Sequence, residues 1–122
     1  MITVLIVDDS QIMRSTVKAC FSNVQIPCRY VEAKNGMEAL ESLEKEKVDV
    51  VLLDWNMPIL SGIDFLRRVR GIEKYKKLPI IMVTSEGARY NVIEALKAGA
   101  TDYIIKPITE KNFKEKIFKF FP

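Results

Sequence analysis

Five residues able to do chemistry stand directly after apolar runs. Asp8 and Asp9 follow Ile2–Val7, and Asp54 follows the apolar run Val48–Leu53. Thr84 follows Leu78–Val83, with small Ser85 after it, and Lys106 follows Thr101–Ile105 and precedes Pro107. An ordinary strand end turns away with Gly or Asn rather than carrying a carboxylate to its tip. Taken singly, each of these residues is a polar group meeting water where a strand stops. Taken as a set they conflict, because two carboxylates ~4 Å apart repel by ~4 kcal/mol at an effective dielectric near 20. Three on one edge therefore call for a cation. All-oxygen donors suit a hard divalent ion, and Mg²⁺ typically binds through one or two carboxylates, waters and phosphate oxygens. Thr84 can donate a hydrogen bond to a phosphate oxygen. Lys106 supplies a compact positive charge. Pro107 restricts the Lys106 backbone and makes a cis bond affordable. A carboxylate can accept a phosphoryl group as an acyl phosphate, and Asp54, from the central run, is the candidate nucleophile.

The intervening segments have helical periodicity. Ser10 to Asn23 carries Met13, Val17, Cys20 and Phe21 on one stripe, continuing to Val24. Cys28–Ala33 alternates weakly, as a second strand. Asn35 caps a helix with Ala39, Leu40 and Leu43, and Ser61 caps one with Phe65, Leu66 and Val69. A fourth helix starts near Ala88, presents Val92, Ile93 and Leu96, and stops at Gly99. Thr109 caps a fifth with Phe113, Ile117, Phe120 and Phe121. Five strands alternating with five helices predict an α/β fold, a doubly wound parallel sheet with helices on both faces. Ligands of such sheets bind at the carboxyl ends of the strands, where the five residues lie.

A length of 122 residues fits one domain, 1–122, with enough core to need no disulfide or metal staple. The balance of 19 basic and 16 acidic residues is too mild to argue for nucleic acid. Lysine-rich Glu73–Lys77 and Lys111–Lys119 read as solvated faces. No apolar run approaches a membrane span, and the N-terminus lacks signal-peptide features, so a cytoplasmic location is expected. Cys20 and Cys28 read as small buried hydrophobes. The chain contains no His, which excludes His-based acid–base or triad chemistry of its own.

These residues resemble the receiver-domain signature of two-component response regulators, over the whole chain. Asp54-Trp-Asn-Met-Pro58, Lys97-Ala-Gly-Ala100 and Tyr103-Ile-Ile-Lys-Pro107 most resemble the single-domain chemotaxis (CheY-type) members. The resemblance implies a flavodoxin-like strand order 2-1-3-4-5. It implies Asp54 as the residue that takes phosphoryl from a CheA-like histidine kinase, so that the missing His sits on the partner. Asp9 and Asp54 would bind Mg²⁺ by side chain, Asn56 by its backbone carbonyl and Asp8 mostly through water. Thr84 and Lys106 would hold the phosphoryl oxygens. Tyr103 would act with Thr84 as the switch aromatic, and Asn56 and Glu86 would tune hydrolysis toward a short-lived phosphoryl state. Such a protein catalyses only its own phosphorylation and dephosphorylation.

Tyr90 and Phe118 fall off the core stripes of the last two helices and, with Val92 and Tyr103, form an expected partner surface. The resemblance points to a flagellar motor switch protein as that partner and allows a phosphatase, with the chain itself a monomer engaging neither nucleic acid nor membrane. A phosphorelay carrier that passes phosphoryl to a His phosphotransfer protein would use the same site. A flavin-binding protein or an aspartate-nucleophile phosphatase fits less well. The first strand–helix turn has no Ser/Thr/Gly-rich cradle, and no Asp-x-Asp pair supplies a nucleophile with its own acid.

Overall fold

The structure is a computed structural model that describes residues 1–85 and 89–121. Strands β1 (Ile2–Val7), β2 (Cys28–Ala33), β3 (Val50–Leu53), β4 (Ile80–Thr84) and β5 (Asp102–Ile105) alternate with helices α1 (Gln11–Asn23), α2 (Gly36–Lys45), α3 (Gly62–Arg70), α4 (Arg89–Ala98) and α5 (Glu110–Ile117). All strand pairs are parallel, in the order β2-β1-β3-β4-β5. Both the α/β class and the strand order agree with expectation.

The side-chain alternation of the strands divides the core into two layers. Leu5, Val7, Val51, Leu53, Ile80 and Met82 face α2 and α3, where Leu43, Phe65, Leu66 and Val69 pack on them. Val4, Ile6, Val50, Leu52, Ile81 and Val83 face α1 and α5, where Val17, Phe21, Phe113 and Ile117 close the other layer. A strand buried on both faces must be apolar throughout, and every residue of β3 and β4 is buried.

Side chains start the helices where the sequence predicts. Ser10, Asn35 and Ser61 accept from the backbone N–H groups of Met13, Glu38 and Asp64. Thr109 and Asn112 form a reciprocal pair at α5. Gly99, at φ +109°, ends α4 in a conformation that disfavours a side chain, and Arg70 occupies the space a Cβ would need.

Four sequence expectations need correction. On α4 the buried residue is Ala95, whereas Ile93 and Leu96 are exposed and Val92 is half-buried. Apolar residues lie on more than one side of that helix, and the sheet accepted the smallest. Helix α5 stops at Ile117, so Phe120 and Phe121 pack against the core from beyond it, half-buried. Cys28 is only half-buried, on an edge strand, while Cys20 is in the core as expected; both are free thiols. Tyr103 is buried, 7% exposed, because its position on β5 faces the α2/α3 layer. It is therefore not a surface residue in this conformation. Among the described residues no helix is long and apolar enough to cross a membrane.

Candidate functional site

The parallel register brings the ends of β1, β3, β4 and β5 to one edge. Val7 lies opposite Leu53, Leu53 opposite Met82, and Thr84 opposite Ile105. The ladder continues one step past the strands, so the functional residues are held by backbone bonds. Asp8 N–H donates to Ala33 O (3.0 Å), Asp54 N–H to Val7 O (2.9 Å), and Lys106 N–H to Thr84 O (2.9 Å).

The result is a carboxylate cluster. Asp8, Asp9 and Asp54 each offer an oxygen, and these lie within 4.8 Å of one another. Asp8 and Asp54 are buried and Asp9 is exposed. Lys106 Nζ stands 3.3 Å from Asp54 Oδ1 and 3.6 Å from Asp8 Oδ2. Burial raises the Asp54 pKa and the Asp8 charge raises it further, with Lys106 opposing both. Burial also raises Asp8, and neighbouring Asp9 adds to it, against a hydrogen bond from Ser10 N–H (2.9 Å) and the Lys106 charge. Lys106 therefore leaves the cluster short of positive charge. An all-oxygen, under-compensated trio on an open edge is the donor set a hard divalent cation fits.

The loop after β3 is braced against this cluster. Gly62 N–H donates to Trp55 O (2.8 Å), and a Cβ on Gly62 would lie 1.8 Å from the backbone oxygen of Asp54. Only glycine lets α3 begin this close to Asp54. The loop's far side rests on α2, where Leu60 packs over Gly36 and Leu60 O accepts from Gly36 N–H (3.2 Å). Trp55 is half-buried beside Asp54, and Asn56 is exposed in the same loop. Behind Asp8, the Arg14 guanidinium donates to Asp8 O (2.7 Å) and to Glu32 (2.9 Å).

The structure thus gathers Asp8, Asp9, Asp54 and Lys106, with buried Thr84 at the end of β4 next to them. Tyr103 lies on the adjacent strand, one register step before Ile104, the partner of Val83. Tyr90 and Phe118 are exposed. A cleft of about 490 Å³ between α4 and α5 is lined by Val92, Leu96, Tyr103 and Ile105. Glu86 lies outside the described residues. The sequence reading missed Gly62 and Arg14. A signal for Arg14 existed, since it shares the spacing of Val17 and Phe21 and is a charge on a buried stripe.

Comparison with known proteins agrees with this arrangement. Residues 4–118 match the response regulator receiver domain family. Chemotaxis protein CheY-3 of Vibrio cholerae is 44% identical, the match covering 97% of this chain and 90% of that protein. Chemotaxis protein CheY1 of Helicobacter pylori is 43% identical over 93% of this chain and 91% of its own. The solved structure of V. cholerae chemotaxis protein CheY4 superposes with a TM-score of 0.87 at 32% identity, covering 98% of both chains. With its sheet order, acidic edge and sequence all in agreement, the chain belongs to the response regulator receiver family of two-component signalling.

Proposed function

We propose that the chain, as one receiver domain over residues 1–122, is a stand-alone phosphorylation switch acting in the cytoplasm on chemotaxis and flagellar motor control. The observation that supports this best is the buried Asp54 carboxylate, facing Asp8 and Asp9 with Lys106 3.3 Å away. An Asp54 oxygen attacks the phosphorus of a histidine kinase's phosphohistidine. The P–N bond breaks, its electron pair stays on the imidazole nitrogen, which takes a proton from solvent, and an acyl phosphate remains on Asp54. Mg²⁺, held by Asp8, Asp9, Asp54 and the Asn56 carbonyl, would neutralise charge on the transferring group, as in phosphoryl transfer generally. Lys106 and Thr84 hold the phosphoryl oxygens. Water later cleaves the acyl phosphate, at a rate set by Asn56 and Glu86 and assisted by a phosphatase where one exists. A receiver domain from Pseudomonas aeruginosa, 24% identical, has a magnesium ion coordinated in its active-site cleft, and the acidic trio here offers ligands for the same ion.

The output follows from Thr84 and Tyr103. Thr84 drawn toward the phosphoryl group changes the packing around the Tyr103 ring, which is already buried in this conformation, and the α4–β5–α5 face with Tyr90, Val92 and Phe118 changes its affinity for a motor switch protein. Trp55 emission tests the first half. Mg²⁺, then beryllofluoride as a phosphoryl mimic, should change it, and Asp54→Asn should abolish the beryllofluoride step. No response in the parent protein would reject the reading. Binding of the activated form to a His phosphotransfer domain instead of a motor-switch peptide would favour the relay carrier.

A further inference from the structure

Among the described buried polar residues, Asp8, Asp54 and Thr84 belong to the acidic edge and Asn35 caps α2. The remaining one is Arg14, a full positive charge that is only 6% exposed. Burying a guanidinium costs several kcal/mol unless its donors are paired. Its pairing joins two separate elements. Nη1 donates to the backbone oxygen of Asp8 at 2.7 Å, and Nε donates to Glu32 Oε1 at 2.9 Å, at the end of β2. Lys18 holds the other Glu32 oxygen at 2.7 Å.

The accepting oxygen belongs to the peptide unit that joins Asp8 to Asp9. That unit is planar, so holding its oxygen restrains the plane, and with it ψ of Asp8 and the position of the Asp9 Cα. The same residue is tied on its other side, where Asp8 N–H donates to Ala33 O at 3.0 Å. Glu32 and Ala33 are consecutive residues of β2. The end of β2, which contributes no side chain to the acidic edge, thus grips the Asp8 backbone directly and through Arg14. Glu32 lies between the Arg14 and Lys18 charges and offsets part of both.

We propose that Arg14, anchored by Glu32, is a positioning residue that sets the divergence of the Asp8 and Asp9 carboxylates and so the Mg²⁺ affinity of the site. This rests on the Mg²⁺-dependent reading above. Lysine cannot replace it, because one ammonium does not span two acceptors as the guanidinium fork does.

The test is a Mg²⁺ titration of the full chain followed by Trp55 emission, with urea unfolding in chelator run in parallel. Loss of groups that orient metal ligands typically weakens metal binding about 10- to 100-fold. Arg14→Met is expected at the lower end of that range, Arg14→Lys close behind it, and Glu32→Ala several-fold weaker than the parent. Arg29→Gln, on the same strand as Glu32, breaks an exposed pair with Glu46 at the end of α2 and should keep the parent's affinity. Parent-like affinity in Arg14→Lys would overturn the proposal, since charge alone would then suffice. So would variants that lose urea resistance yet bind Mg²⁺ as the parent does, the mark of a merely structural role. Should Arg14→Met not fold, Glu32→Ala decides, and unchanged affinity there overturns the proposal. A parent chain that binds no Mg²⁺ would overturn both this and the functional reading, whereas a responsive parent with unaffected variants removes only the role of Arg14.

Discussion

Helices α3 and α4 lie beside each other and are held very differently. Helix α3 buries Gly62, Ile63, Phe65, Leu66 and Val69, whereas α4 buries Ala95 alone. Fully burying a Leu or Phe side chain contributes about 1.5–3 kcal/mol each. Helix α3 therefore has several times more to lose by shifting. The difference matches what each precedes or follows in the chain. Helix α3 begins against the Asp54 carbonyl and braces the end of β3. Helix α4 follows Thr84 and borders the cleft floored by Tyr103. The switch proposed above needs one fixed half and one half with little burial to give up, and this pair offers both.

Truncating the anchored helix gives the largest expected effect. Phe65→Ala should destabilise the protein by about 3–5 kcal/mol in urea unfolding; a loss below about 1 kcal/mol would mean α3 is not the anchor. Gly62→Ala should cost about 1–3 kcal/mol by overpacking, and it should also blunt the Trp55 response to beryllofluoride, because the new Cβ displaces the Asp54 backbone. A full response with intact stability would dissociate the helix start from the acceptor.

A smaller effect concerns the other edge. Burial of Asp102 opposes its ionisation, but hydrogen bonds from Lys116, the Tyr103 N–H and Lys119 outweigh it and leave its pKa below the ordinary value. A depressed carboxylate stabilises the fold above its unfolded pKa, near 3.9, and loses that contribution as pH falls through the lower folded value. Asp102→Asn should therefore narrow the stability lost between about pH 5 and 2, and a superimposable acid profile would count against the ion pair. The smallest effect is expected on α4, where Leu96→Ala, at an exposed position, should change stability by no more than about 0.5 kcal/mol while weakening partner binding. A cost above about 2 kcal/mol would show that α4 is packed as firmly as α3.

The same contrast explains what could be read in advance. Strands β1, β3 and β4 are continuous apolar runs because both faces are covered, and Asp8, Asp54 and Thr84 follow from where those runs stop. Caps at Asn35, Ser61 and Thr109 were legible because a side-chain oxygen there has one local use. The α4 face was not, because its apolar residues surround the helix and only the neighbouring sheet chooses among them. Arg14 was hidden for a related reason. Its partners, Asp8 O and Glu32, meet only after β1 and β2 pair.

The strand order has a consequence for how the protein is made. Strand β1 pairs with β2 and β3, all contained in residues 2–53. A chain emerging from the ribosome presents these three strands, and all three aspartates once Asp54 has emerged, before β4 emerges. Thr84 and then Lys106 arrive roughly two to ten seconds later, at about 5–20 residues per second. For that interval the nascent chain bears the acidic half of its site without the lysine that balances it, and a dissolved cation is the counter-charge within reach.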